Sequence, residues 1–167
     1  MIKNNSKRTF AIVFAVLMML SLNVSAQCFI KSTEQDQGYV TYYMDPELIA
    51  QNNEFGIALS VQMVGDKHYL ALTYQFAKTA QPVEEKVGLE LASGYIIELG
   101  MYTMEVGSAG GVELCMAVFF IDDVQIPFLK GSNLKKVIFR TQDNIKHEMM
   151  VSSNADALKR QLICFKK

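Results

Sequence analysis

The sequence predicts an all-β protein: a single antiparallel β-sandwich of about eight to ten short strands, closed by a short C-terminal amphipathic helix. Three observations carry this. Apolar and polar residues alternate at period two over residues 57–63 and 70–76, and further short strand-like runs follow as far as residue 151. Clusters of Gly, Asp, Asn and Ser interrupt the alternation at turn spacing. Only the last segment changes to a helical period.

The chain opens with Lys3, Lys7 and Arg8, continues with an uncharged run from Phe10 to Leu22, and reaches Val24-Ser25-Ala26. That is the order of a cleavable secretory signal peptide, expected to span residues 1–26 and to leave one domain over residues 27–167. The apolar run is about 13 residues, short of the roughly 20 that a membrane-spanning helix needs. A lipoprotein is cut directly before a lipid-bearing cysteine, with a small residue before it and a Leu-like residue two further back. Ahead of Cys28 those places hold Gln27 and Ser25, so cleavage after Ala26 is the expected outcome and lipid attachment the minor one.

Residues 39–44 read as a strand, and Asp45-Pro46-Glu47 as the opening of a helical turn, with Asp as cap and Pro at the first position. Residues 27–37 show no clear pattern. Ile57, Leu59, Val61 and Met63 then share one face, and beyond Gly65-Asp66 so do Leu70, Leu72, Tyr74 and Phe76, which predicts a β-hairpin. Strands follow at 87–91 and 95–99 around Ala92-Ser93-Gly94, at 101–106, and at 112–121 after a glycine-rich loop over 107–111. Residues 124–126 read as a strand ending at Pro127, which cannot donate to a ladder. Residues 137–141 and 145–151 form a last hairpin around Gln142-Asp143-Asn144. Ser152-Ser153-Asn154 offers an N-cap, and Ala155, Leu158, Leu162 and Phe165 recur at helical spacing, with Lys159, Arg160, Lys166 and Lys167 toward the end where the dipole favours cations. An outer-membrane barrel fits poorly, because residues 114–121 are apolar on both faces and the chain ends in a helix.

Three of the 16 basic residues and none of the 17 acids lie in the leader, which leaves 13 against 17 and a net charge of −4. Nucleic acid is an unsuitable partner for such a chain, and no membrane span is expected after cleavage. Among the three cysteines, Cys115 sits in the apolar run Leu114-Cys115-Met116-Ala117-Val118 and reads as a buried, inert thiol. Cys28 and Cys164 lie at opposite ends, and a bridge between them is expected in an oxidising compartment, with no bridge at all the competing outcome.

The residues that carry chemistry are few. His68 shares the parity of Leu70, Leu72 and Tyr74, which places it either at a cavity rim with Asp66 beside it or simply at a polar hairpin end. His147 and Glu148 are neighbours in a strand, so their side chains leave on opposite faces. No spacing of His, Cys or Glu specifies zinc, and no cofactor is expected. Asp122-Asp123 reads as turn chemistry before calcium binding, and the glycine loop lacks the Lys of a phosphate loop. Serine in the nucleophile-elbow pattern is missing too, so no catalytic residue is expected. Tyrosines cluster at Tyr39, Tyr42 and Tyr43, at Tyr69 and Tyr74, and at Tyr95 and Tyr102, a residue type favoured at binding surfaces. Tyr42 and Tyr69 are the two expected to be exposed.

The runs KVGLELASGYIIEL, ELCMAVFFID, FLKGSNLKKVIFRT and SNADALKRQLICF resemble a layout of small exported proteins of Gram-negative envelopes, and are similar to the invasion-associated locus B family in their strand, glycine turn, cysteine strand and terminal helix. The likeness covers the part of the chain from Lys86 onward and lacks that family's further cysteines. It implies a fold and carries over no functional residue. The function expected is therefore a non-catalytic periplasmic or secreted envelope protein, a protein-interaction module whose partner is another envelope or secreted protein. The alternative is a carrier of a lipid or glycan with its pocket between the sheets or at the His68 rim.

Overall fold

Ten strands and two short helices form from the residues that a computed structural model describes, 28–34 and 39–165; the expected leader lies outside them. In chain order they are β1 (Lys31–Glu34), β2 (Val40–Tyr43), β3 (Glu47–Gln51), β4 (Phe55–Val64), β5 (Lys67–Phe76), β6 (Lys86–Leu91), β7 (Ile96–Ala109), β8 (Val112–Ile121), α1 (Ile126–Gly131), β9 (Leu134–Arg140), β10 (Lys146–Met150) and α2 (Ala157–Cys164). All strands belong to one antiparallel sheet in the order β1-β2-β4-β5-β8-β7-β6-β9-β10, with β3 also on β4.

The sheet becomes two layers by bending at β7. Ile96–Gly100 of that strand pair with β6, whereas Met101–Ala109 pair with β8, with a register shift between Met101 and Thr103 just inside the second half. The layers meet face to face: Tyr74 of β5 lies against Phe139 of β9 with ring centroids 4.7 Å apart, and Phe55 of β4 meets the same ring at 5.6 Å. Ile57, Leu59, Val61, Leu70 and Leu72, the alternating faces of the first hairpin, are all fully buried. Each such side chain contributes about 1.5–3 kcal/mol through its removal from water. The all-β sandwich with a terminal helix is thus present, folded from one continuous sheet.

At the other seam, the chain leaving β10 crosses to β3. Ser152 N donates to Ile49 O at 2.9 Å, and the side chains of Ser153 and Asn154 both donate to Leu48 O. These polar side chains were expected to cap a helix. They stitch the seam instead, and α2 begins behind Asp156, which makes no side-chain cap bond.

Helices cover one end of the sandwich. Leu129 of α1 is buried with Leu158, Leu162 and the adjoining Phe165, and α2 lies on β4. Along one edge of β4, residues 56–59 pair with β3 and residues 62–64 with β2, so the Val61 amide between them needs another acceptor. Buried Gln161 supplies it: Oε1 accepts from Val61 N at 2.7 Å, while Nε2 donates to Glu47 Oε1 at 2.9 Å. Cys164, the last residue of α2, is bonded to Cys28 ahead of β1, with Cα atoms 5.5 Å apart. A sulfur held in that bond is not available to carry a lipid.

Several local expectations change. Glu47 begins β3 and no helical turn, because its backbone pairs with Leu59. Residues 124–126 lead into α1, where Pro127 occupies the first turn without a donor to lose. The glycine-rich loop narrows to a two-residue turn, Gly110-Gly111, whose φ values of 59° and 81° suit only glycine comfortably. No helix among the described residues is long and apolar enough to cross a membrane.

Candidate functional site

An antiparallel sheet with one face in the core normally turns a polar face to water. Here the outward positions at one end of the β5–β8 pair are Tyr69, Ala71, Val118 and Phe120, and the first three are buried although they face away from the core; further along, Thr73 and Gln75 of β5 share that face. With Val64 of β4 they make a second apolar cluster on the outside of the layer. This cluster floors a groove of about 800 Å³. Thr33, Tyr39, Thr41 and Tyr43 of the β1–β2 hairpin line one side, and Tyr102 and Thr103 of β7 line the other.

Tyr102 owes its position to the bend. Met101 pairs with Phe119 and Thr103 with Val118, so Tyr102 is the extra residue of a bulge, and bulges re-aim side chains in this way. Its ring stands 5.0 Å from that of Tyr69 and is 69% exposed. Tyr69 also meets Phe120 edge-on at 5.8 Å, and burial pushes its phenol above the ordinary tyrosine range. Thr41 is the unusual polar residue. It lines the groove, is only 4% exposed, and its hydroxyl has no hydrogen-bond partner among the described residues. An unpaired buried hydroxyl costs about 1–3 kcal/mol.

Of the residues singled out from sequence, Tyr69 belongs to this groove, as floor and not as the exposed residue expected; Tyr102 and Phe120 cover it. Tyr42 is exposed as expected, but it sits opposite Met63 and so on the other face of the sheet. His68 is 1% exposed, in register between Met63 and Ile121 near the start of β5, and is not among the residues that line the groove. No protein-family model, curated protein or solved structure matches this chain. The groove must therefore be read from its own chemistry.

A second constellation lies at the open end of the sandwich, away from the helices. His147 stacks on Phe139 at 5.1 Å, meets Phe55 edge-on at 4.6 Å, and lines a cavity of about 180 Å³ with Thr141 and Asp143. Thr141 Oγ1 lies 2.6 Å from Asp143 Oδ1 and 3.0 Å from His147 Nε2. The threonine has one proton, and the shorter, charge-assisted bond takes it. It therefore donates to the carboxylate, holding Asp143 below its usual range, and accepts from the imidazole N–H. A hydroxyl committed to a carboxylate is not a nucleophile activated by histidine. This triad braces the β9–β10 turn, where Asn144 takes a φ of 63°.

Elsewhere the polar residues serve structure. Asp122 accepts from Val124 N at 3.1 Å, which is turn chemistry. Glu148 faces away from His147, toward Lys146 and Lys136. Cys115 is free and fully buried, and burial raises its thiol above the ordinary cysteine range. Among the described residues no group of three or more His, Cys, Asp and Glu is placed to hold a metal ion.

Proposed function

We propose that this chain is a non-catalytic binding protein that works outside the cytoplasm and holds a macromolecule of the cell envelope in the tyrosine-lined outer groove. One observation carries the reading: an apolar, aromatic cluster buried on the outward face of the sheet, flanked by exposed tyrosines. Tyrosine gives contact area at low entropic cost together with a polar end, and a concave aromatic surface is costly to keep in water without a partner. The disulfide supports export, because such bonds persist in oxidising compartments. A carrier with its ligand between the layers has less support, since Tyr74, Phe119, Leu89 and Phe139 fill that space from both sides.

The test uses the secreted chain and envelopes isolated from its own cells. The wild type is expected to co-sediment with the envelopes, and the Tyr39→Ser/Tyr102→Ser variant to stay in the supernatant with its fold intact, because both rings are mostly exposed. Equal sedimentation of the two proteins removes the groove from the function.

A further inference from the structure

Resting on that reading, we infer that the groove takes a neutral, hydroxyl-rich chain: a short β-linked oligosaccharide segment of an envelope or secreted glycan. Aromatic rings stand on opposite sides of it, Tyr39 and Tyr43 on the hairpin and Tyr102 on the bulge. A pyranose ring with equatorial substituents presents flat C–H faces, whose partly positive hydrogens suit the negative face of an aromatic ring. Beside the rings and around the apolar floor the lining includes Thr33, Thr103 and Gln62, groups that both donate and accept, as sugar hydroxyls do.

Thr41 adds an independent requirement. Its buried hydroxyl lacks a partner among the described residues, in a protein class where such groups are nearly always paired. A sugar hydroxyl satisfies it as donor or acceptor without bringing charge. Charge points the same way: among the described residues the charged ones lining the groove are Asp66 and Lys67, adjacent and opposite in sign, which give an anionic glycan or a phosphate no net attraction. The volume, about 800 Å³, lies within the range of small-molecule sites, roughly 300–1,000 Å³.

A polypeptide strand fits less well. Extended peptides are recognised through main-chain pairing at a sheet edge. The floor of this groove is a sheet face, and its backbone groups are already committed to the β4–β5–β8–β7 ladders.

Titration calorimetry of the secreted chain with cellotetraose and with chitotetraose tests the inference, with a tetragalacturonate as the charged control. At least one neutral tetrasaccharide is expected to bind saturably and the charged one not to bind. Thr41→Val is expected to weaken binding about tenfold, the equivalent of one hydrogen bond. The same variant is expected to melt no lower than the wild type, because it deletes an unpaired hydroxyl at nearly constant volume; a merely structural Thr41 gives the opposite pattern. Tyr102→Ala is expected to weaken binding by tenfold or more.

Failure of both neutral sugars to bind, equal binding of the charged one, or binding that neither variant changes overturns the glycan assignment. If no sugar binds while Tyr39→Ser/Tyr102→Ser still abolishes envelope binding, only the ligand class was wrong. Loss of that difference as well removes the groove reading itself.

Discussion

Replacing Cys28 and Cys164 by serine removes a covalent link between the approach to β1 and the end of α2, residues 136 positions apart in sequence. Closing a loop of that length restricts the unfolded chain by about 17 cal/mol/K in the polymer model, or about 5 kcal/mol at room temperature. Measured disulfides deliver less, typically about 2–4 kcal/mol. The lower range applies here, because β1 is exposed along its whole length and the bond anchors a peripheral strand and not the core. An unfolding entropy of about 2.1 cal/mol/K per residue makes each kcal/mol worth about 3–4 °C in a chain of this size. The double variant should therefore melt about 7–14 °C below the wild type by calorimetry or circular dichroism. Dithiothreitol should bring the wild type to the same temperature and leave the variant unchanged, since Cys115 is buried and unbridged. A drop below about 3 °C, or a further fall of the variant under reductant, refutes the reasoning.

Three other outcomes follow from buried or paired polar groups. Tyr74 is fully buried and its hydroxyl has no partner among the described residues, so Tyr74→Phe should hold or raise stability by about 1 kcal/mol in urea unfolding; a loss of that size disproves the orphan assignment. Gln161→Leu leaves the buried Val61 amide without its acceptor and should cost about 2–4 kcal/mol, whereas an exposed-helix cost of a few tenths means another group takes over. Hydrogen bonds from Lys146 and Lys136 pull the Glu148 carboxyl down to about 2, below its unfolded value, so their contribution is complete above about pH 4.5 and is lost as pH falls toward 2. Lys136→Met should therefore flatten the fall in melting temperature between pH 5 and pH 2.5, and parallel curves for the two proteins exclude the pair as a cause.

The first hairpin was legible because its period-two face is also its buried face; Ile57 to Val61 and Leu70 to Tyr74 enter the core as the alternation requires. The terminal helix was legible for the matching reason at period 3.6, with Leu158, Leu162 and Phe165 inside. Elements whose residues do not alternate in burial left no such trace. All four residues of β1 are exposed, so that strand is specified by pairing with β2 and not by its own pattern. Pro127 reads in the sequence as a strand end, yet a first helical turn tolerates proline equally, and there the chain forms a helix with Leu129 buried. At the site, parity correctly turned Tyr69 away from the core. Its burial was hidden, because the residues covering it come from a bulge in β7 and from β8. The tyrosine cluster was visible, but which members share a groove depends on a register shift that composition does not encode.

That shift links fold to function. Bending one sheet into two layers has β7 change partners between Gly100 and Met101, and just past the change the β7–β8 ladder leaves Tyr102 unpaired. The unpaired position could be filled by any residue tolerant of water, since it carries no core contact. It is filled by a tyrosine that lies over a second tyrosine on the outward face. Stability alone asks for polar residues there. A buried Tyr69, Ala71 and Val118 on the same face, beside a threonine whose hydroxyl has no partner among the described residues, serve no need of the core about 10 Å behind them, the usual thickness of a layer. The binding role proposed above would account for all of these departures with one cause, whereas packing needs a separate reason for each.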